Sequence, residues 1–253
     1  KNKGFFIAIL TMVLLMNHTM VYGQMDNTQT MTKSGTTAAQ FLKIGVDARA
    51  TAMGNAFTAM EGEVSSIFWN AAGLANVHRL ETVFVNNDWL AGVGFHYLGF
   101  ALPLRRVGVL GLSVTSLTVP DDKVRTVTKP EGTGEYWGAQ DLAVNLSFAR
   151  KLTDKFSIGG NIKYIQQTIW HSHANTFALD LGALFVTPFK DIRLGASLAN
   201  YGGELHMTGR DQKLSVDPDP NNQGNVEFVN ALYETDSFPL PLIFRVGLSG
   251  ELI

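Results

Sequence analysis

The sequence predicts an all-β protein, an antiparallel β-barrel that spans a membrane. Three observations predict this fold: eight long segments in which apolar and polar residues alternate, short connections that alternate with long ones, and a charged fraction of only 17%. Strands of soluble proteins usually have about five or six residues, whereas a tilted membrane strand needs about nine to eleven. Most of the eight segments exceed ten residues. Their length therefore favours a bilayer.

The alternation assigns one apolar and one polar face to these segments. In the fifth, Phe156, Ile158 and Ile162 fall on one face, and Asn161 and Lys163 on the other. The apolar face can meet hydrocarbon while the other meets water or a plug. The eight predicted strands are residues 81–88, 92–104, 107–119, 138–152, 155–170, 175–188, 192–201 and 239–253.

Polar residues on the second face predict a braced lumen, because arginines and carboxylates there can pair. This inward set is Asn145, Asn161, Lys163, Asp180, Arg193, Arg245 and Glu251. Gripping a plug is its simplest role, and an ion path is the alternative. The second and third strands carry apolar residues on both faces. Their inner face either packs against a plug or lines an apolar channel, and we favour the plug.

Connection lengths separate a barrel from a soluble sandwich, in which strands also alternate. Residues 105–106, 153–154 and 189–191 form tight turns, whereas 120–137 and 202–238 are long; 171–174 is a short exception. Short turns at one end and long loops at the other are typical of outer-membrane barrels.

The N-terminus predicts export. Lys1 and Lys3 precede an apolar run of about thirteen residues, and Val21 and Gly23 supply small residues for cleavage, so residues 1–23 are predicted to be a signal peptide. Residues 24–40 read as a flexible lead-in. Removing the signal peptide takes the net charge from −2 to −4. The mature chain therefore lacks the excess of basic residues that is typical of nucleic-acid-binding proteins. The chain has no cysteine, so neither disulfides nor an N-terminal lipid anchor is available.

Residues 41–77, which we name the plug, are crowded with alanine and glycine and show no strand alternation. Asp47 can cap a short helix whose small side chains let the backbone approach surrounding walls. We therefore expect a tight enclosure for this segment. The alternative is an alanine-rich helix packed on a soluble β-domain.

The plug contains two motifs, a first with Asp47, Arg49, Met53 and Gly54 and a second with Trp69, Asn70 and Gly73. Together they are similar to the N-terminal signature of the PorV/PorQ family, within the FadL-like outer-membrane barrels. Ala71 stands where the family usually has proline. The resemblance implies an N-terminal plug followed by a barrel of about fourteen strands. It also implies a kinked third strand, which Gly108 and Gly111 would permit.

A barrel of eight strands is filled by its own side chains and has no room for the plug. We therefore expect residues 78–253 to be part of a wider barrel and the sequence to be a fragment that lacks about six strands, a number taken from the resemblance.

The resemblance implies a non-enzymatic accessory protein of type IX secretion in the outer membrane. Expected partners are outer-membrane lipid, secreted cargo proteins and subunits of the secretion machinery, with the long loops 120–137 and 202–238 as contact surface. A FadL-like channel for hydrophobic small molecules is the alternative, with the plug as its hatch.

Enzymatic and metal chemistry has little support in the sequence. His171 and His173 read as a polar hairpin tip, since no carboxylate stands beside them in the sequence. The stretch 217–222 lacks the glycine that a calcium loop needs at its sixth position and the glutamate at its twelfth, which is Phe228. No catalytic residue, metal ligand or cofactor is predicted. A membrane-embedded hydrolase is the remaining enzymatic alternative, but the sequence offers no grouping of Ser, His and an acid for it.

Overall fold

The computed structural model describes residues 35–217 and 229–250. The predicted signal peptide, Glu251 and most of the calcium-like stretch 217–222 lie outside these residues. The described chain is mostly antiparallel β-sheet, as predicted.

All eight predicted strands form, and they lie in chain order in one antiparallel sheet. They are β1 Glu81–Asp88, β2 Gly94–Leu104, β3 Gly108–Lys123, β4 Tyr136–Thr153, β5 Phe156–Ile169, β6 Ser172–Val186, β7 Arg193–Gly202 and, after five shorter strands, β13 Ile243–Ser249. The shorter strands are β8 Glu204–His206, β9 Thr208–Gly209, β10 Lys213–Val216, β11 Val229–Leu232 and β12 Ser237–Pro239.

The main sheet is open within the described residues. β1 pairs only with β2, and β13 pairs only with β7, so the sheet is not closed into a barrel. The remaining pairs, β10 with β11 and β8 with β12, are two-stranded. No second large sheet stacks on the first in the described part of the chain, which therefore does not form a β-sandwich.

The plug consists of short helical turns that lie against one face of the sheet. Its elements are a 3-10 turn Gln40–Lys43, helices Ala48–Ala52 and Ser66–Trp69, and a 3-10 turn Ala71–Asn76. Two further 3-10 turns, Leu90–Gly92 and Arg210–Gln212, lie outside the plug. Asp47 caps the first helix as predicted, since its Oδ1 accepts a hydrogen bond from the Arg49 N–H at 3.0 Å. No helix among residues 35–217 and 229–250 is long and apolar enough to cross a membrane.

The two faces of the sheet differ in what they meet. The inward face is buried by the plug, which contacts β3, β4, β5 and β6. The outward face carries large apolar side chains that are exposed on every long strand, among them Phe84, Phe100, Leu112, Leu146, Ile162, Leu181, Leu194 and Phe244. This is the alternation that the sequence predicts.

The long connections, predicted as loops, contain regular strand pairing. β3 and β4 extend their pairing beyond a bulge to Lys123 and Tyr136, and Thr126 bridges Lys129, so most of 120–137 is a projecting hairpin. The connection 202–238 holds β8 to β12. Short strands of two to four residues are too brief to show a period in the sequence.

The kink suggested for the third strand is absent. β3 keeps continuous pairing with β2 from Gly108 to Thr118 and with β4 from Val109 to Val119. Gly111 instead faces the plug, where an added Cβ would lie 3.0 Å from the Ile67 side chain.

Candidate functional site

The plug rests on glycines of the inward face. An added Cβ at Gly159 would lie 2.5 Å from the Ala71 carbonyl carbon, which is closer than real Cβ atoms come. Gly182 and Gly195 are as tight, against Asn70 and against the Thr58 backbone. Because glycine has no Cβ, the plug backbone reaches the strands directly. The term plug seat is used below for the inward glycines together with the polar residues that hold the plug. The glycines are Gly111, Gly159, Gly182, Gly195 and Gly247.

Asn70 joins the plug to β6. Its Nδ2 donates to the Ala183 carbonyl at 3.0 Å and to the Thr58 carbonyl at 2.8 Å, while its Oδ1 accepts from the Ala72 N–H at 3.1 Å. The residue is 2% exposed. One side chain therefore satisfies three buried backbone groups, two of which belong to the plug itself.

A buried polar network on β5, β6 and β7 lies beneath the plug. Lys163 Nζ lies 3.0 Å from Asp180 Oδ2 and 2.6 Å from Asn200 Oδ1. The second oxygen, Asp180 Oδ1, accepts the Asn200 N–H at 2.7 Å. Asn161 Nδ2 donates to both Asp180 Oδ2, at 2.8 Å, and the Ile67 carbonyl of the plug, at 2.9 Å. The charged pair is thus surrounded by hydrogen-bond partners, which buried charges require.

Two arginines of the predicted inward set also reach the plug. Arg193 Nε lies 2.8 Å from Glu61 Oε1, and Glu61 also accepts a hydrogen bond from Asn76. The Arg245 guanidinium lies over the Trp69 ring, 5.4 Å from its centroid. Its positive charge meets the negative face of the aromatic ring there.

Apolar clusters complete the contact. Phe41 and Leu42 pack with Ala143 and Ile165 near the long-loop end, and Ile67 with Leu74 packs against Ala101, Val109 and Ala149 near the short-turn end. On β2, Phe95 and Tyr97 bury Val46 of the plug. The apolar inward face of β2 therefore packs against the plug. The sequence favoured this interpretation over an apolar channel.

The two plug motifs have different environments. Trp69, Asn70 and Gly73 are buried against the sheet, but Arg49, Met53 and Gly54 are exposed. The expected tight enclosure is therefore seen for the second motif, whereas these three residues of the first motif are not covered by the described wall. Arg49 pairs with Glu63 within the plug.

Several contributors to the plug seat were not identified from the sequence. Asn200 lies at a bulge between β6 and β7 with φ of 63°, where strand alternation no longer applies. Glu61 belongs to an irregular segment without a period. The inward glycines share the parity of the polar inward residues on the same strands, and this parity is the sequence feature that predicts their face.

His171 belongs to a polar cluster at the long-loop end of the sheet. His171 Nδ1 lies 3.0 Å from Asp211 Oδ1, and Ser172 Oγ lies 3.4 Å from Asp211 Oδ2. His171 Nε2 faces Arg210 at 2.6 Å and not a serine hydroxyl. The serine and the histidine both face the carboxylate, so the imidazole does not lie between hydroxyl and acid as it does in a Ser-His-Asp triad. No group of three metal-ligating side chains occurs among the residues that the structure describes.

The described contacts as a whole hold the plug against the sheet and bring its backbone directly onto the strands. Comparison of the chain with protein-family models, with curated proteins and with solved structures gives no match.

Proposed function

We propose that the sheet is part of the wall of an outer-membrane β-barrel of the PorV/PorQ type, non-enzymatic, which serves as an accessory protein in type IX secretion. In this proposal further strands complete the wall around the plug, since unpaired strand edges are not tolerated in lipid. The secretion role rests on the resemblance of the plug motifs.

The proposed membrane location rests on the composition of the outward face of the sheet. It exposes large apolar side chains on all eight long strands, with Phe84, Leu181 and Phe244 each at least 64% exposed. Soluble monomers rarely expose a contiguous apolar surface of this extent. The polar groups face the plug instead, which is the reverse of a soluble protein and fits hydrocarbon outside.

The fixed plug favours an accessory role over a conducting one. One buried and two partly buried hydrogen bonds tie the plug to three strands through Asn161, Asn70 and Ser249. Close contact at the inward glycines brings the plug directly onto the strands on this side of the lumen. A plug bound in this way stabilises the wall, while the partner surface lies at the loop end.

The β3–β4 hairpin supplies that partner surface. Its tip exposes Val127 completely, and Tyr136 is 58% exposed. Its base is held by Asp122, which accepts hydrogen bonds from the Lys123 N–H at 2.7 Å and from Arg125 at 3.1 Å. These bonds lower the pKa of the Asp122 carboxyl below its ordinary value.

The test is secretion of a reporter fused to the C-terminal domain of a type IX cargo, in cells that carry the intact gene. Replacing residues 126–133 with a two-residue turn preserves the strands and removes the tip. We expect the reporter to accumulate in the periplasm while the barrel remains in the outer membrane. The matched control is D154N/K155Q, in the turn at the opposite end. Unaltered secretion by the shortened hairpin and by a gene deletion would contradict the proposal.

A channel for hydrophobic small molecules is the second candidate. The exposed side of the plug at Arg49, Met53 and Gly54 favours it, because a passage could run between that side and the rest of the wall. Uptake of a labelled fatty acid that depends on the gene, with secretion unchanged, would support this candidate. Equal uptake with and without the gene would remove it.

A further inference from the structure

A pocket of about 380 Å³ opens at the short-turn end of the sheet, outside the plug seat. Five basic or imidazole side chains line it: His78, Arg105, Arg106, Arg150 and Lys151. No aspartate or glutamate is among its lining residues. The protein carries a net negative charge, so this local excess of positive charge is not a consequence of composition.

The backbone holds these groups together. The β2–β3 turn places Arg105 at φ of 42° and is closed by a hydrogen bond from the Val107 N–H to the Leu104 carbonyl at 2.8 Å. Gly108, at φ of 146°, lies so close to the Ala149 carbonyl that no side chain would fit. The turn is therefore packed directly against the end of β4, which carries Arg150. Val77 and Val109, both almost completely buried, form the apolar floor.

The positive charges are not neutralised within the described chain. Arg105, Arg106, Arg150 and Lys151 form no ion pair with another described residue, and the neighbouring Glu81 pairs with Arg79. Like charges that converge on one pocket repel each other, and a bound anion relieves that repulsion. Arginine forks match the oxygens of a phosphate group better than a point charge does.

We infer that this pocket binds a phosphate group and that a phospholipid is its carrier. Val107 and Leu152 adjoin the basic residues in sequence and are 56% and 54% exposed, which gives acyl chains an apolar surface next to the headgroup. The phosphate site stands on the pocket alone. The lipid as carrier rests on the proposed membrane location, in which the short-turn end faces the periplasm and the inner leaflet.

The experiment measures binding of short-chain phosphatidylglycerol and of inorganic phosphate to the purified full chain in neutral detergent, by calorimetry. The pocket variant is R106Q/R150Q. The control variant, K155Q/K190Q, removes two positive charges from other turns at the same end that do not line the pocket. We expect about a fivefold weaker affinity for phosphatidylglycerol in the pocket variant and no change in the control. The affinity of the wild-type chain should also fall with added salt.

Each outcome discriminates. Loss of phosphatidylglycerol binding in the pocket variant alone supports the full inference. Equal weakening for inorganic phosphate, with no preference for the lipid, supports a phosphate site and removes the lipid carrier. Equal affinities of pocket and control variants for both ligands would overturn the inference. Failure of membrane insertion would contradict the proposed function and leave the phosphate measurement intact.

Discussion

Lys163 and Asp180 form an ion pair beneath the plug, with Nζ 3.0 Å from Oδ2 and each side chain only 8% exposed. Their strands are neighbours, and the partner directly across from Asp180 is Asn161. Both Asp180 oxygens also accept hydrogen bonds, from Asn161 and from the Asn200 backbone. The pair therefore joins three strands at the point where Asn161 donates to the plug.

Removing one partner of this pair should be costly. Asp180→Ala leaves the Lys163 ammonium buried without a counter-ion, and we expect a loss of about 3 to 5 kcal/mol in the free energy of unfolding. Urea unfolding of the chain in detergent micelles, followed by tryptophan fluorescence, measures this loss. The control Asp154→Ala lies in an exposed turn and should change stability by less than about 0.5 kcal/mol. A loss below about 1 kcal/mol for Asp180→Ala would show that the pair is not buried in the folded protein.

The plug lies so close to the inward glycines that no larger side chain should be tolerated at these positions. Gly159→Ala and Gly182→Ala should each destabilise by about 1 to 3 kcal/mol, because the new methyl group displaces the Ala71 backbone at Gly159 and the Asn70 side chain at Gly182. Limited proteolysis should then cut the plug faster. Gly250→Ala is the control, since its Cβ would come no closer than 3.4 Å to the Ile192 side chain. Equal protease resistance of all three variants would mean that the plug does not rest on these strands.

Asn70 makes two hydrogen bonds within the plug and one to β6. Asn70→Ala removes the donor to the Thr58 and Ala183 carbonyls and the acceptor for the Ala72 N–H. Leaving these buried groups unpaired should cost about 1 to 3 kcal/mol, measured by the same urea unfolding. Asn86→Ala, at an exposed position of β1 with ordinary strand backbone, is the matched control. A ranking in which Asn86→Ala costs more would contradict the assignment of the second motif as the anchor.

Much of the sheet could be predicted from the sequence because its physics is local. Alternation along β5 and β6 is a property of neighbouring residues, so it placed Asn161, Lys163 and Asp180 on one face before any pairing was known. Side chains on the outward face follow from the same period. Boundaries shifted by a few residues where bulges interrupt the pairing, as between Lys151 and Thr153.

The plug seat depends on contacts that the sequence does not encode locally. Glu61 meets Arg193 across a separation of more than a hundred residues, and no period links them. Gly159 and Gly182 are paired partners in the register of β5 and β6, so the groove that they form exists only once the strands are aligned. The exposure of Met53 likewise depends on which parts of the plug meet the sheet. Such features require the tertiary arrangement.

The outward face gives the most direct test of the membrane location. Ile162 lies near the middle of β5, points outward and is 56% exposed. If hydrocarbon covers it, Ile162→Arg should destabilise the protein in lipid by about 2 to 4 kcal/mol, because a charge at mid-depth is poorly solvated. The control Asn175→Arg changes an outward, exposed polar position close to the long-loop end of β6 and should have an effect of about 0 to 1 kcal/mol. Unfolding from lipid vesicles with urea measures both. Equal small effects of the two substitutions would show that water, and not hydrocarbon, meets the outward face.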